Sequence, residues 1–121
     1  MKSIVKAAWR ARGGALGAAS LVVLAAVCSH LSPVAGEWLQ FDRTAIAAGQ
    51  LWRLATCHLT HWSVDHLFWD VATFACLAAI CQSESRRATW ICLAASAMAI
   101  PAAVWLFMPD MPTYRGLSGL D

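Results

Sequence analysis

Charged side chains are scarce in this chain of 121 residues. They make up 13% of the sequence, against roughly 25% in an ordinary soluble domain, whereas 60% of the residues are apolar. Nine Lys and Arg against seven Asp and Glu give a net charge of only +2, which excludes the strongly basic footprint of a nucleic-acid-binding protein. The five cysteines form no C-x-x-C pair, and their odd number excludes a framework of paired disulfides. The composition therefore predicts that the partners of this chain are lipid and other proteins.

Three apolar runs predict transmembrane helices, at residues 13–31, 64–81 and 88–108. The second run reaches the roughly 20 residues of a span only if the polar segment before Leu67 also lies at membrane depth. A fourth span begins at residue 116. The first run also fits a secretory signal peptide, with a basic head before an apolar stretch, and this alternative stays open. The sequence thus predicts an all-α membrane protein with three transmembrane helices and the start of a fourth.

The positions of the basic residues orient these helices. Six lie before the first helix or in the short second connection, and three lie on the opposite side, which places the N-terminus inside. The segment 32–61 is then a long outer loop. This pattern predicts a multi-pass integral membrane protein, as in a bacterial inner membrane. The inner residues are Lys2, Lys6, Arg10, Arg12, Arg86 and Arg87, and the outer ones are Arg43, Arg53 and Arg115.

Polar residues cluster where the second apolar run begins. Residues 57–70 contain three of the four histidines and two carboxylates, and polar groups at membrane depth are functional candidates because they are costly there. His66 and Asp70 are four residues apart, so a helix places them on one face, about 6 Å apart along its axis. His58 and His61 are interpreted as loop or interface residues, where a histidine needs no special explanation.

The other informative segment is the motif Gly116-Leu117-Ser118-Gly119. The third helix runs from inside to outside, so Gly116 begins a re-entry from the outer face, the face from which His66 also enters. Ser118, His66 and Asp70 can then lie at similar depth. The flanking glycines leave room for a substrate backbone, and a helix N-terminus at Ser118 offers N–H groups to an oxyanion. This pattern favours acyl-transfer chemistry.

In order, spacing and membrane side, these motifs resemble the rhomboid family of intramembrane serine proteases. The match covers residues 49–119 and comprises Trp52-Arg53, the His61, His66 and Asp70 series, and the glycine–serine motif after one intervening helix. The resemblance implies a six-helix bundle, of which residues 1–121 are the N-terminal part. It also implies an endopeptidase without metal or cofactor. Its substrate is a transmembrane or membrane-anchored protein, cleaved near the outer leaflet.

The resemblance assigns roles to individual residues. Ser118 is the nucleophile, Gly116 belongs to its backbone motif, and His66 helps to stabilise the oxyanion. The loop that carries Trp52-Arg53 is structural. Asp70 departs from the family, which commonly has asparagine there as an oxyanion donor. Either Asp70 is protonated and donates a hydrogen bond, or it orients His66, and the sequence leaves both alternatives open.

In rhomboids the histidine that deprotonates the serine comes from a later helix, so the sequence predicts an incomplete catalytic dyad in these residues. The chain is also similar to the rhombosortase branch, which is associated with processing of C-terminal sorting tails. The residues that carry this similarity are Phe41-Asp42-Arg43, Ala45-Ile46 and Tyr114-Arg115.

Two other hypotheses stay open. One is a non-catalytic rhomboid-like protein or truncated fragment that binds transmembrane helices. The other is a metal or haem site formed by His58, His61, His66 and Asp70.

Overall fold

A computed structural model describes the backbone of residues 2–117 and the side chains of residues 17–117. The chain is mostly helical, with one short antiparallel pair of strands. The elements in chain order are α1 (Lys2–Leu31), α2 (Pro33–Leu39), β1 (Phe41–Asp42), α3 (Arg43–Ala47), α4 (Arg53–Thr56), a 3₁₀ turn (Cys57–Leu59), α5 (Val64–Phe107) and β2 (Thr113–Tyr114).

The prediction of three transmembrane helices and the start of a fourth is wrong. In the part of the chain that the structure describes, one helix, α5, is long and apolar enough to cross a membrane; a second span is present only if α1 and α2 count as one bent span. After Leu31 the chain bends by 116° into α2. Residues 116 and 117 are not helical, so no fourth helix begins there.

The second and third apolar runs belong to a single element, α5, of 44 residues. Inside it the one residue with non-helical backbone is Ser85 (φ −153°, ψ 102°), so no separate loop joins the two runs. His58 links the arms 64–84 and 86–107 indirectly, because it contacts both the carbonyl of Ala97 on the second arm and the loop that is hydrogen-bonded to the first.

The apolar side chains of α5 face outward. In the most apolar 18-residue stretch of this helix, only 11% is buried inside the protein. A helix in the core of a soluble protein buries most of its apolar side chains. Bulky residues such as Phe68, Trp69 and Leu106 are exposed. The length and surface of α5 are therefore those of a helix that crosses a membrane.

Arg43 fixes the end of α5 beneath the outer loop. Its guanidinium donates to the carbonyls of Val104, Trp105 and Met108 at 2.8–2.9 Å, and these carbonyls lie at the end of a helix, where some have no partner within it. Arg43 directly follows β1, and β1 pairs with β2. The strand pair and this arginine therefore hold residues 115–117 against the first arm of α5.

Arg53 connects α4 to α2 from inside the loop. It is buried and donates to the carbonyls of Glu37 at 2.7 Å and Gln40 at 3.0 Å, and to the side chain of Gln50 at 2.8 Å. A guanidinium has five N–H donors in a fixed plane, which lets one side chain bind several loop carbonyls together. Arg53 thereby joins α2, the residue after it and the turn before α4 into one hydrogen-bonded unit.

Candidate active site

One carboxylate oxygen lies at the centre of the site. Asp70 is on the second turn of α5 and is buried. Its Oδ2 accepts a hydrogen bond from the backbone N–H of Leu117 at 2.9 Å. The same oxygen lies 3.1 Å from Nε2 of His66 and 3.3 Å from Nε2 of His61. The loop that leads to Ser118 is thus bound to the first arm of α5.

The contacts of His66 indicate which ring nitrogen carries its hydrogen. Nδ1 lies 3.5 Å from the backbone N–H of Trp62 and can only accept from it. Nε2 then carries the hydrogen and donates to Asp70. The hydroxyl of Ser63 accepts from the backbone N–H of His66 at 3.1 Å, which caps α5 and fixes its first turn. His66 and Asp70 therefore make the contact across one helical turn that their spacing predicts.

Gly116 is where the loop passes closest to these side chains. Its φ of +129° is a conformation that residues with a Cβ rarely adopt. A Cβ here would lie 2.9 Å from Nε2 of His66 and 3.0 Å from Oδ2 of Asp70. The N–H of Gly116 donates to the carbonyl of Cys57 at 3.2 Å. Backbone conformation and space therefore both require glycine at this position.

His61 is the member of the site that the sequence interpretation missed. It follows the 3₁₀ turn, outside α5, as expected, but its side chain is 0% exposed. Within residues 17–117 its Nδ1 has no hydrogen-bond partner, and its Nε2 makes only the long contact with Asp70 Oδ2 at 3.3 Å; an unpaired buried polar group costs about 1–3 kcal/mol. Burial lowers the pKa of His61 to about 4, although the nearby carboxylate of Asp70 acts in the opposite direction. His61 is therefore a neutral imidazole at pH 7.

The lowered pKa of His61 predicts a loss of stability in acid. Between pH 6.5 and 4 the unfolded chain binds a proton at His61 that the folded chain does not bind, so folding stability falls as pH falls through this window. From pH 7 to pH 5.5 we expect a loss of about 1 kcal/mol from this residue. The measurement is the unfolding midpoint in detergent at both pH values, for the unmodified protein and His61→Phe. Equal pH dependence of the two proteins would contradict the prediction.

His58 is also buried, contrary to its interpretation as an interface residue. Its Nδ1 lies 3.2 Å from the carbonyl of Gly116, and its Nε2 lies 3.0 Å from the carbonyl of Ala97. Both neighbours are carbonyl acceptors, and each ring nitrogen lies within hydrogen-bond distance of one of them. His58 thereby connects the Gly116 loop to the second arm of α5.

Ser118, the predicted nucleophile, lies outside the described residues. The other three predicted site residues, His66, Asp70 and Gly116, are brought together. Among residues 17–117, no group of three His, Cys, Asp or Glu side chains is arranged to hold a metal ion. His58 faces backbone carbonyls and Asp70 is hydrogen-bonded to Leu117, so the arrangement does not support the metal or haem hypothesis.

A polar cavity of 500 Å³ adjoins the site on its outer-loop side. Arg115, the residue before Gly116, lies in its wall, with the guanidinium 4.4 Å from the ring centre of Trp62 and Nε donating to Gln40 at 2.8 Å. Trp62 also contacts Nδ1 of His66 through its backbone N–H. The cavity and the site are therefore connected through Trp62 and Arg115.

Comparison with known proteins identifies no relative. A scan against protein-family models, a search of curated proteins and a search of solved structures each gave no match to this chain. The sequence motifs and the geometry around Asp70 are therefore the basis for a functional proposal.

Proposed function

We propose that this chain forms part of an intramembrane serine endopeptidase that hydrolyses a peptide bond of a membrane-anchored protein substrate near the outer leaflet. The observation that carries the proposal is the 2.9 Å hydrogen bond from the N–H of Leu117 to Asp70. It brings the residue directly before Ser118 into contact with the His66–Asp70 pair. An N–H donor held in a fixed position next to the nucleophile loop is what stabilisation of an oxyanion requires.

In the proposed reaction the hydroxyl oxygen of Ser118 bonds to the scissile carbonyl carbon, and its proton passes to a base. The family that the sequence resembles takes this base from a later helix. The carbonyl π electrons move to oxygen, and His66 Nε2–H and the backbone N–H of Ser118 stabilise the resulting oxyanion. Collapse of the intermediate breaks the C–N bond, and the amine leaves with the proton. Water then hydrolyses the acyl-enzyme by the same steps.

Asp70 is a positioning residue in this proposal. Of the two alternatives for this residue, the geometry favours orientation of His66, because Oδ2 accepts hydrogen bonds from Leu117 and His66. A carboxylate that holds one imidazole nitrogen fixes the tautomer and the plane of the ring. The N–H of Leu117 adds a second constraint, since the serine loop and His66 are then attached to the same oxygen.

The proposal places α5 in the bilayer of a bacterial inner membrane, in a multi-pass protein with the N-terminus inside. The outward-facing apolar surface of α5 supports a position in the bilayer. A substrate helix hides its amides in internal hydrogen bonds, so it must unwind before cleavage. The polar cavity next to Arg115 offers space for the unwound segment.

A fluorophosphonate probe tests the proposal directly, because it bonds covalently to activated serines. The full-length protein in detergent is expected to be labelled, and Ser118→Ala is expected to lose labelling by at least about 100-fold. Ser83→Ala is the matched control, since it makes the same change at an exposed serine near the bend of α5. Equal or absent labelling of the folded unmodified and Ser118→Ala proteins would reject the proposal.

A second candidate function is a non-catalytic protein that binds a transmembrane helix. A groove of 470 Å³ between α1 and α5 favours it, because small side chains line the groove, among them Ala19, Ala75 and Ala79. Small residues let the backbone of another helix approach closely. This candidate predicts no labelling of Ser118 in the folded protein, so the probe experiment distinguishes the two functions.

A further inference from the structure

We propose that His61 and His66 compete for Asp70, and that transfer of the Asp70 hydrogen bond to His61 releases His66 to act on substrate. This inference rests on the proposed function, because it describes how the oxyanion donor of that site becomes available. His61 does not touch the reacting atoms in this scheme. It is a positioning residue that acts on His66 through Asp70.

The hydrogen-bonding capacity of one oxygen creates the competition. A carboxylate oxygen has two lone pairs directed for hydrogen bonds. Oδ2 of Asp70 uses one of them for the N–H of Leu117 at 2.9 Å. His66 and His61 also both place Nε2 near this oxygen, at 3.1 Å and 3.3 Å. The two rings therefore share Oδ2, and His66 lies closer to it in the described arrangement.

The two imidazoles differ in what they do without Asp70. The side chain of His61 is 0% exposed, and among the described residues its ring nitrogens have no hydrogen-bond partner besides the contact of Nε2 with Asp70 Oδ2 at 3.3 Å. The side chain of His66 is 27% exposed, so water can solvate its N–H when it leaves. The ring centres are 5.2 Å apart and the planes cross at 74°. A shift of about 0.4 Å brings Nε2 of His61 to ordinary hydrogen-bond distance.

Release of His66 places its N–H where the proposed reaction needs a donor. His66 has one hydrogen on Nε2, and in the described arrangement that hydrogen is donated to Asp70. The space beside Nε2 is bounded by Gly116, whose missing Cβ leaves room for a developing oxyanion. Leu117 keeps its bond to Asp70 throughout, so the serine loop stays in place while His66 changes partner.

Histidine NMR tests the competition without any requirement for catalysis. The protein with Ser118→Ala is labelled with ¹⁵N-histidine, which gives signals from four imidazoles, and the exchange of the His66 Nε2 hydrogen with water is measured. His61→Phe removes the competitor but keeps a buried ring of similar shape, so we expect this exchange to slow by about 10-fold. His61→Gln keeps a side-chain N–H that can bind Asp70, and we expect it to stay within about threefold of the unsubstituted rate.

Two further measurements complete the test. His30→Phe, the same substitution on α1, is the matched control and is expected to leave the exchange rate of His66 unchanged. In the protein with Ser118 intact, His61→Phe is expected to lower fluorophosphonate labelling by about 10-fold, and His61→Gln is expected to restore most of it. An exchange rate in His61→Phe within twofold of the unsubstituted rate would overturn the inference.

The outcomes separate this inference from the proposed function. Slowed exchange in His61→Phe with no labelling of Ser118 supports the competition and rejects the protease. Labelling of Ser118 with unchanged exchange supports the protease and rejects the competition. If His61→Phe does not fold, the unsubstituted protein decides: the competition requires that His61 and His66 show a common exchange process on the microsecond-to-millisecond timescale. Absence of this shared process overturns the inference.

Discussion

Replacing Gly116 with alanine is expected to destabilise the protein by about 2–4 kcal/mol and to abolish labelling of Ser118. Two effects add. The φ of +129° is strained for any residue with a Cβ, and the new methyl group would lie 2.9 Å from His66 Nε2 and 3.0 Å from Asp70 Oδ2. Either the loop or His66 must move, and both movements separate the serine motif from the pair on α5. The measurements are the unfolding midpoint in detergent and the labelling rate.

Two other glycines separate these effects. An added Cβ at Gly49 meets nothing within 4 Å, but its φ is +99°, so Gly49→Ala is expected to show backbone strain alone, about 1–2 kcal/mol. At Gly17 the added Cβ also meets nothing within 4 Å, and the residue lies inside a helix. Gly17→Ala is therefore expected to be neutral or to stabilise by up to about 1 kcal/mol. If Gly116→Ala is no less stable than Gly49→Ala, His66 moves away from the new methyl group without a measurable cost in stability, which contradicts the prediction.

The fold was only partly predictable from the sequence. Apolar runs identify helical segments, because whether a segment can be buried in lipid or protein depends on its own composition. Both later runs are indeed helical. How the segments connect depends on the backbone at single residues. Ser85 alone separates the two arms of α5, and a bend of 116° follows Leu31. Serine and a Ser-Pro step are common features, so no count of apolar residues reveals these bends.

The site was predictable where it depends on one helix. The contact between His66 and Asp70 follows from a spacing of four residues, which a helix converts into proximity. The burial of His58 and His61 depends instead on the outer loop, which Arg53 and Arg43 hold against the helices through backbone carbonyls. The sequence pattern within one segment does not predict such long-range contacts. The sequence therefore predicts a loop or interface position for His58 and His61, although both are buried.

Replacing Asp70 with asparagine is expected to raise the rate of fluorophosphonate labelling of Ser118 by about 10-fold. The amide oxygen can still accept the N–H of Leu117, so the serine loop keeps its attachment. The negative charge beside the developing oxyanion is removed. A neutral acceptor also binds an N–H about half as strongly as a carboxylate does, so His66 is released more readily.

Two further variants serve as controls for this prediction. Asp65→Asn makes the same chemical change at an exposed carboxylate in the first turn of α5, and it is expected to leave labelling unchanged. Asp70→Leu removes the acceptor, which leaves the N–H of Leu117 without its partner and should lower labelling below the unmodified level. If Asp70→Asn lowers labelling as much as Asp70→Leu does, the charge itself is needed to orient His66. The aspartate would then be a working member of the site, and its difference from the asparagine of rhomboids would reflect a different division of roles between carboxylate and imidazole.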